Sequence, residues 1–460
     1  MDRTSKIIRI PMLVLACSAV FSANAADTGL KTFAANTPAL AEEVNGNFDY
    51  INNKIDGLLN RGSTGHADCT SDASALRDLV DKGVNSITFD GACNGPLYPA
   101  IWTKITGSGK DTSSINGFLK DSWTTEVIWN RNGYLDIRDT TINSGGLTSD
   151  LTMVGSVQGS EIRLKNVDVV GSNNPTDDSL CLMAKQGSFR LTDVKIRACN
   201  EALNLSNGSF AEIREDNAGA TVIERTHADN WAISLSHNSS LRVKGGTFRG
   251  VLDANPDEMI QAIGLNYNSS IRIEGGKIEG LAINRNSSAE LRGGEVQDTL
   301  SVFHNSYARL RKDFTMTQSA TASVKPVVKV GTGIVHIGLN TPLDLSRLSA
   351  GNRSLVEISG NGTSDVMSTV NLDFYKGTLN LQAITLNNSD SANFHRGDFY
   401  LEQSVLNIGT KITMWDPSSG SVTGGSTVSS ASYEGVDCDN SAFQIYVEGG
   451  STNAITYACP

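Results

Sequence analysis

Ten residues in three stretches of this chain carry the side chains that carbohydrate recognition uses: Asp177, Asp178, Glu215, Asp216, His227, Asp229, Trp231, Asp253, Asp257 and Glu258. Carboxylates accept hydrogen bonds from sugar hydroxyls, and an indole stacks on the apolar face of a sugar ring. Within the set, Trp231 reads as the stacking residue, with Asp229, Asp253 and Asp257 as polar contacts. Asp177, Asp178 and His227 are the residues that could act as acids or bases. The competing reading makes all of them ordinary solvated turn residues. Other chemistries find less support. The six histidines, at 66, 227, 237, 304, 336 and 395, include no pair at metal-ligand spacing, and no CxxC or CxxH occurs. No metal site or cofactor is therefore expected. Phosphate-cradling glycine loops and nucleophile elbows are absent too.

These residues must be held by whatever repeats around them. The stanza Asn238-Ser-Ser-Leu-Arg-Val-Lys-Gly-Gly-Thr-Phe248 returns from Asn268 to Ile278 and from Asn286 to Val296, with looser copies beginning at Asn132, Gln158, Gln186, Asn207 and Asn305. A unit of this length cannot bury its own apolar face and must stack on its neighbours. In each unit short alternating strands are separated by an Asn corner and a Gly-Gly corner, residue types that tolerate φ > 0. The expected fold is all-β: a right-handed parallel β-helix solenoid. Its left-handed counterpart requires a hexapeptide repeat that is missing here. Corner-to-corner intervals shrink from 31 residues to 18, so the longer coils carry insertions, at roughly 143–157, 171–180, 215–231 and 251–261. Aligned on one side of a solenoid, insertions make a groove. Asn-Ser-Ser also matches a glycosylation acceptor pattern, but one corner geometry explains every copy.

The flanks carry an address. Residues 1–25 place Arg3, Lys6 and Arg9 before an apolar run and the small-residue site Ala23-Asn24-Ala25, the order of a secretory signal peptide. The rival is a lipobox, Val14-Leu15-Ala16-Cys17, which would anchor the chain by a lipid on Cys17. No later segment is apolar enough to span a bilayer. Residues 26–61 form a helical segment in which Val44, Phe48, Ile51, Ile55 and Leu58 follow a coiled-coil seam, making residues 38–59 a candidate oligomerising stalk. Residues 62–128 read as an N-terminal cap with an amphipathic helix over Ala73–Val84, 129–415 as the repeat body, and 416–460 as a Ser/Gly linker followed by a cap. Six cysteines remain after residue 25. Their grouping favours the sequential disulfides Cys69–Cys93, Cys181–Cys199 and Cys438–Cys459, which would close the ends. Lys and Arg total 38 against 49 Asp and Glu, a formal charge of −11. Loss of residues 1–25 removes three cations and Asp2, taking it to −13. Such a balance argues against nucleic acid and anionic membranes as partners.

Two resemblances add expectations. Phe33-Ala-Ala-Asn-Thr-Pro-Ala39, followed by Glu43-Val-Asn-Gly-Asn-Phe48, resembles an N-terminal segment of exported proteobacterial proteins. The body resembles the pectin-lyase-like β-helix superfamily in architecture. Within it, Asp177-Asp178-Ser-Leu-Cys181 with Gly187-Ser188 and Cys199 is similar to the polygalacturonase pattern, which implies inverting hydrolysis by separated carboxylates. That family has Gly-His-Gly after the second cysteine, where this chain has Asn200-Glu201-Ala202. Its Asn-Thr-Asp and Arg-Ile-Lys motifs are missing as well. A pectate-lyase reading would instead enlist Asp168, Asp193 and Arg197 around calcium. Together these observations point to a secreted, periplasmic or surface protein, non-catalytic and adhesive or glycan-binding. The alternative is a polysaccharide lyase or inverting glycoside hydrolase.

Overall fold

The computed structural model describes residues 63–435, 444–447 and 452–457, apart from 100–101, 119–125, 132, 146, 148–150, 173–178, 225–230, 251–260, 312, 319–325, 340–341, 363–364 and 416–417. The signal peptide, Cys17, the 38–59 seam, Cys438 and Cys459 lie outside the described residues, as do Asp177, Asp178, His227, Asp229, Asp253, Asp257 and Glu258.

The described chain is all-β, with thirty-six strands and one α-helix. The strands stack in a solenoid-like arrangement, each pairing in parallel with strands one coil earlier and one coil later. Three ladders result. The first runs from Thr64–Asp68 to Gln444–Val447 and includes residues 240–243, 270–273 and 288–291. The second contains residues 167–170, 195–197, 222–224, 247–249, 277–279 and 294–297. The third contains Glu126–Arg131, Thr152–Val157, Leu180–Lys185, Glu201–Ser206, Ile233–Leu235, Ile263–Leu265 and residues 281–283. A coil visits the ladders in that order.

Alternation explains the interior. Leu235, Val243, Phe248, Leu265, Ile273 and Leu291 are all fully buried, as the repeat register requires. Each side chain of this kind contributes about 1.5–3 kcal/mol on burial. The corners are made by left-handed residues. Asn238, Asn268, Asn286 and Asn305 have φ of 64°, 61°, 60° and 60°, and Gly246, Gly276 and Gly294 turn the opposite corner at 102°, 98° and 85°.

The serine that follows each of these corner asparagines does a different job. Ser239, Ser269, Ser287 and Ser306 are 1% exposed. Ser239 Oγ donates to the Ser236 carbonyl at 2.7 Å and accepts the Ser209 N–H at 3.3 Å. Ser287 Oγ accepts the Ser269 N–H at 3.2 Å, and Ser306 Oγ accepts the Ser287 N–H at 3.3 Å. A column of buried hydroxyls thus links successive coils where left-handed corners leave amides without ladder partners.

Several boundaries differ from the sequence expectation. Coils begin well before residue 129. Thr64–Asp68 pairs with Ser86–Asn94, and the helix Ala75–Asp81 between them buries Leu76 and Val80. Residues 416–434 are no linker: Ser419–Thr423 and Thr427–Gly435 continue the first and later ladders. A solenoid supplies ladder hydrogen bonds whatever the outward side chains are, so Ser-rich sequence with inward Val422 and Val428 suffices. Likewise the stretches 143–157 and 215–231 are not continuous loops, because they contain the strands Thr152–Val157 and Val222–Glu224.

Two of the three expected disulfides are in the described chain: Cys69–Cys93 and Cys181–Cys199, with Cα separations of 5.1 and 5.8 Å. The second joins neighbouring coils. Both bridges are consistent with an extracellular or periplasmic location. Among the described residues no helix is long and apolar enough to cross a membrane.

Candidate functional site at the corner between the second and third ladders

Insertions are not spread evenly around the coil. Between second-ladder and third-ladder strands the chain spends residues 171–179, 225–232, 250–262 and 318–326, whereas two coils turn the same corner tightly at Gly280 and Asp298. By chain position, Asp177, Asp178, His227, Asp229, Asp253 and Asp257 all belong to this one corner. Glu215 and Asp216 do not. The strand Val222–Glu224 separates them from residue 225 onward and leaves them at the corner between the first and second ladders. There Glu215 accepts the Thr221 N–H at 3.1 Å, and Asp216 lies 3.6 Å from Lys165.

Trp231 stands at the described edge of the insertion corner, half-buried. Its Nε1 donates to Gln261 Oε1 at 3.1 Å, which ties the two insertions 225–232 and 250–262 together. The indole lies flat on Gly264: a Cβ there would sit 2.0 Å from the ring. The same device recurs on this ladder. Trp129 covers Gly155, and Phe303 covers Gly331, with corresponding distances of 2.1 Å in both cases.

Beside Trp231 lies a polar row that sequence reasoning missed. Asn204, Ser234 and Gly264 are consecutive outward positions of the third ladder. Over the first two folds Glu201, only 9% exposed. Its carboxylate accepts from Asn204 Nδ2 at 3.0 and 3.2 Å and from the Ser234 hydroxyl. Burial pushes the Glu201 carboxyl above the usual range, and hydrogen bonds from Ser234 and Asn204 only partly oppose this. In the sequence Glu201 stood out only as a departure from Gly-His-Gly. Its burial depends on the coil that follows, which no local pattern announces.

A second raised carboxyl is Glu279, again through burial, opposed by Arg249 and the Gly250 N–H. Its strand continues into residues 281–283, three rungs beyond Glu201 on the third ladder. At a rise of about 4.8 Å per rung, the two backbones are about 14 Å apart along the stack. The two carboxylates of the lyase reading are engaged elsewhere. Asp168 pairs with Lys110 at 2.6 Å. Asp193 is buried and accepts from the N–H groups of Asp216 and Asn217 and from Asn217 Nδ2. Burial raises its carboxyl, but those donors outweigh it and hold it below the usual range. Asp193 therefore fixes a corner.

No protein-family model, curated protein or solved structure matches this chain.

Proposed function

We propose that the protein is an exported right-handed parallel β-helix of the pectin-lyase-like kind that binds glycan at the insertion corner without cleaving it, at the cell surface or beyond. One observation carries the reading. The longest insertions leave from one corner, and the described edge of that corner presents the Trp231 indole beside the Glu201–Asn204–Ser234 row. An aromatic plate next to hydrogen-bonding groups is what a sugar ring requires. Right-handedness follows from the strong preference of parallel crossover connections. Export rests on the leader-like residues 1–25 and agrees with the disulfides.

A second reading, a carbohydrate-active enzyme, draws on Glu201, whose carboxyl is raised as a general acid requires. One experiment separates the two. The mature protein is screened on a polysaccharide panel for both retention and product release, alongside Trp231→Ala, Glu201→Gln and Asp177→Asn. The binding reading expects retention that Trp231→Ala weakens about tenfold or more, about 1.4 kcal/mol, with no new reducing or unsaturated ends. Product release that Glu201→Gln or Asp177→Asn abolishes would overturn it in favour of the enzyme. Retention unchanged in Trp231→Ala would remove the corner from consideration.

A further inference from the structure

We infer that the first ladder carries a separate binding trough for an acidic polysaccharide, on a different face from the insertion corner and independent of it. The trough, about 490 Å³, runs along the stack between Phe210 and Tyr307. Phe210, Ser240, Ser270, Ser288 and Tyr307 occupy one register column on five successive coils. The aromatic rings therefore bracket a serine floor about 19 Å long, at about 4.8 Å per coil. Phe210 is 37% exposed, unusual for a phenylalanine. The hydroxyls of Ser240, Ser270 and Ser288 make no hydrogen bond among the described residues.

The adjoining column supplies charge. Arg242 and Arg272 share Glu274, at 2.9 and 2.6 Å. Arg292 and Arg311 share Glu290, both at 2.9 Å. Lys244 pairs with Glu212 at 3.2 Å. Arg309 is exposed and has no partner among the described residues. Six cations against three carboxylates leave an excess of three positive charges on this patch, in a chain whose total is −11. A local reversal of sign selects an anionic partner.

The arrangement favours a uronate-bearing polysaccharide over nucleic acid. Single-stranded nucleic acid stacks successive bases on neighbouring aromatic side chains, and here three serine coils separate the rings. Dense phosphate charge would also meet the protein's overall negative field. A chain of hydroxylated rings with a carboxylate on each matches the hydroxyl floor, the flanking arginines and the terminal stacking plates.

The test uses the whole mature protein with alginate and polygalacturonate, neutral dextran, and single-stranded DNA as probes. Expected are binding of an acidic polysaccharide that falls steeply with salt, no retention of dextran, and weaker binding of DNA. Arg309→Gln and Phe210→Ser should each weaken polysaccharide binding about tenfold, with unchanged thermal midpoints because both side chains are exposed. Trp231→Ala should leave it within about twofold, which distinguishes this trough from the corner site. The inference is overturned if neither acidic polysaccharide binds. It also falls if both trough variants bind as the parent does, or if dextran or DNA binds as tightly.

Discussion

Removing the hydroxyl of Ser239 tests whether the buried serine column supports the stack. The side chain is 1% exposed and makes two bonds: it donates to the Ser236 carbonyl at 2.7 Å and accepts the Ser209 N–H at 3.3 Å. Ser239→Ala deletes both and leaves the Ser209 amide buried without a partner. An orphaned buried amide costs about 1–3 kcal/mol, and the lost bond to a carbonyl about 1 kcal/mol more. The expected destabilisation is therefore about 2–4 kcal/mol. The next residue is an internal control. Ser240 has the same chemistry but its hydroxyl faces outward without a partner among the described residues, so Ser240→Ala should change stability by no more than about 0.5 kcal/mol. Urea unfolding gives the global comparison. Because a repeat protein can open coil by coil, hydrogen exchange of peptides covering 205–245 should also be followed, where Ser239→Ala accelerates exchange. Equal stability and equal exchange in the two alanine variants would refute the argument.

Two further outcomes follow from the geometry. Glu201 has a carboxyl raised by burial; a raised group contributes stability that is fully present below its unfolded-state pKa and lost as pH rises through the folded one. Glu201→Gln should therefore match the parent at acid pH and be the more stable protein at neutral and alkaline pH; a stability difference that does not vary with pH would remove the explanation. Cys181 and Cys199 close a loop of 18 residues, for which chain entropy gives about 3 kcal/mol, so the double serine variant should lose about 2–4 kcal/mol. Non-reducing peptide mapping should recover Cys69–Cys93 and Cys181–Cys199, with Cys438 joined to Cys459, and any bridge between groups would contradict the sequential pairing.

The repeat was legible because its periodicity is carried by residues whose burial has a fixed meaning. Val243, Ile273 and Leu291 recur at the same distance from an Asn corner, and all three are fully buried. Where apolar alternation faded, the reading failed. Ser419–Thr423 and Val222–Glu224 form strands because neighbouring coils offer a ladder, a property of the stack rather than of those residues. The site was legible only at Trp231. Glu201 is buried by folding over Asn204 and Ser234, thirty-three residues away at its far end, and Gly264 shows its purpose only when the indole that covers it is in place. The charge excess around Phe210 and Tyr307 was hidden for a related reason. Its members lie on coils separated by 18 to 32 residues of sequence, and their sum is opposite in sign to that of the chain.

The concentration of the longest insertions at one corner makes that corner a socket. Between the third and first ladders, by contrast, left-handed turns and buried serines fix the path residue by residue, and the flanking strands keep a constant spacing. The strands on either side of residues 250–262, ending at Arg249 and starting at Ile263, pair with strands of neighbouring coils. Lengthening such a segment costs little, about 0.6 kcal/mol for each doubling. Recognition segments of different length and composition can therefore be exchanged at this position while the scaffold beneath them keeps the same rungs.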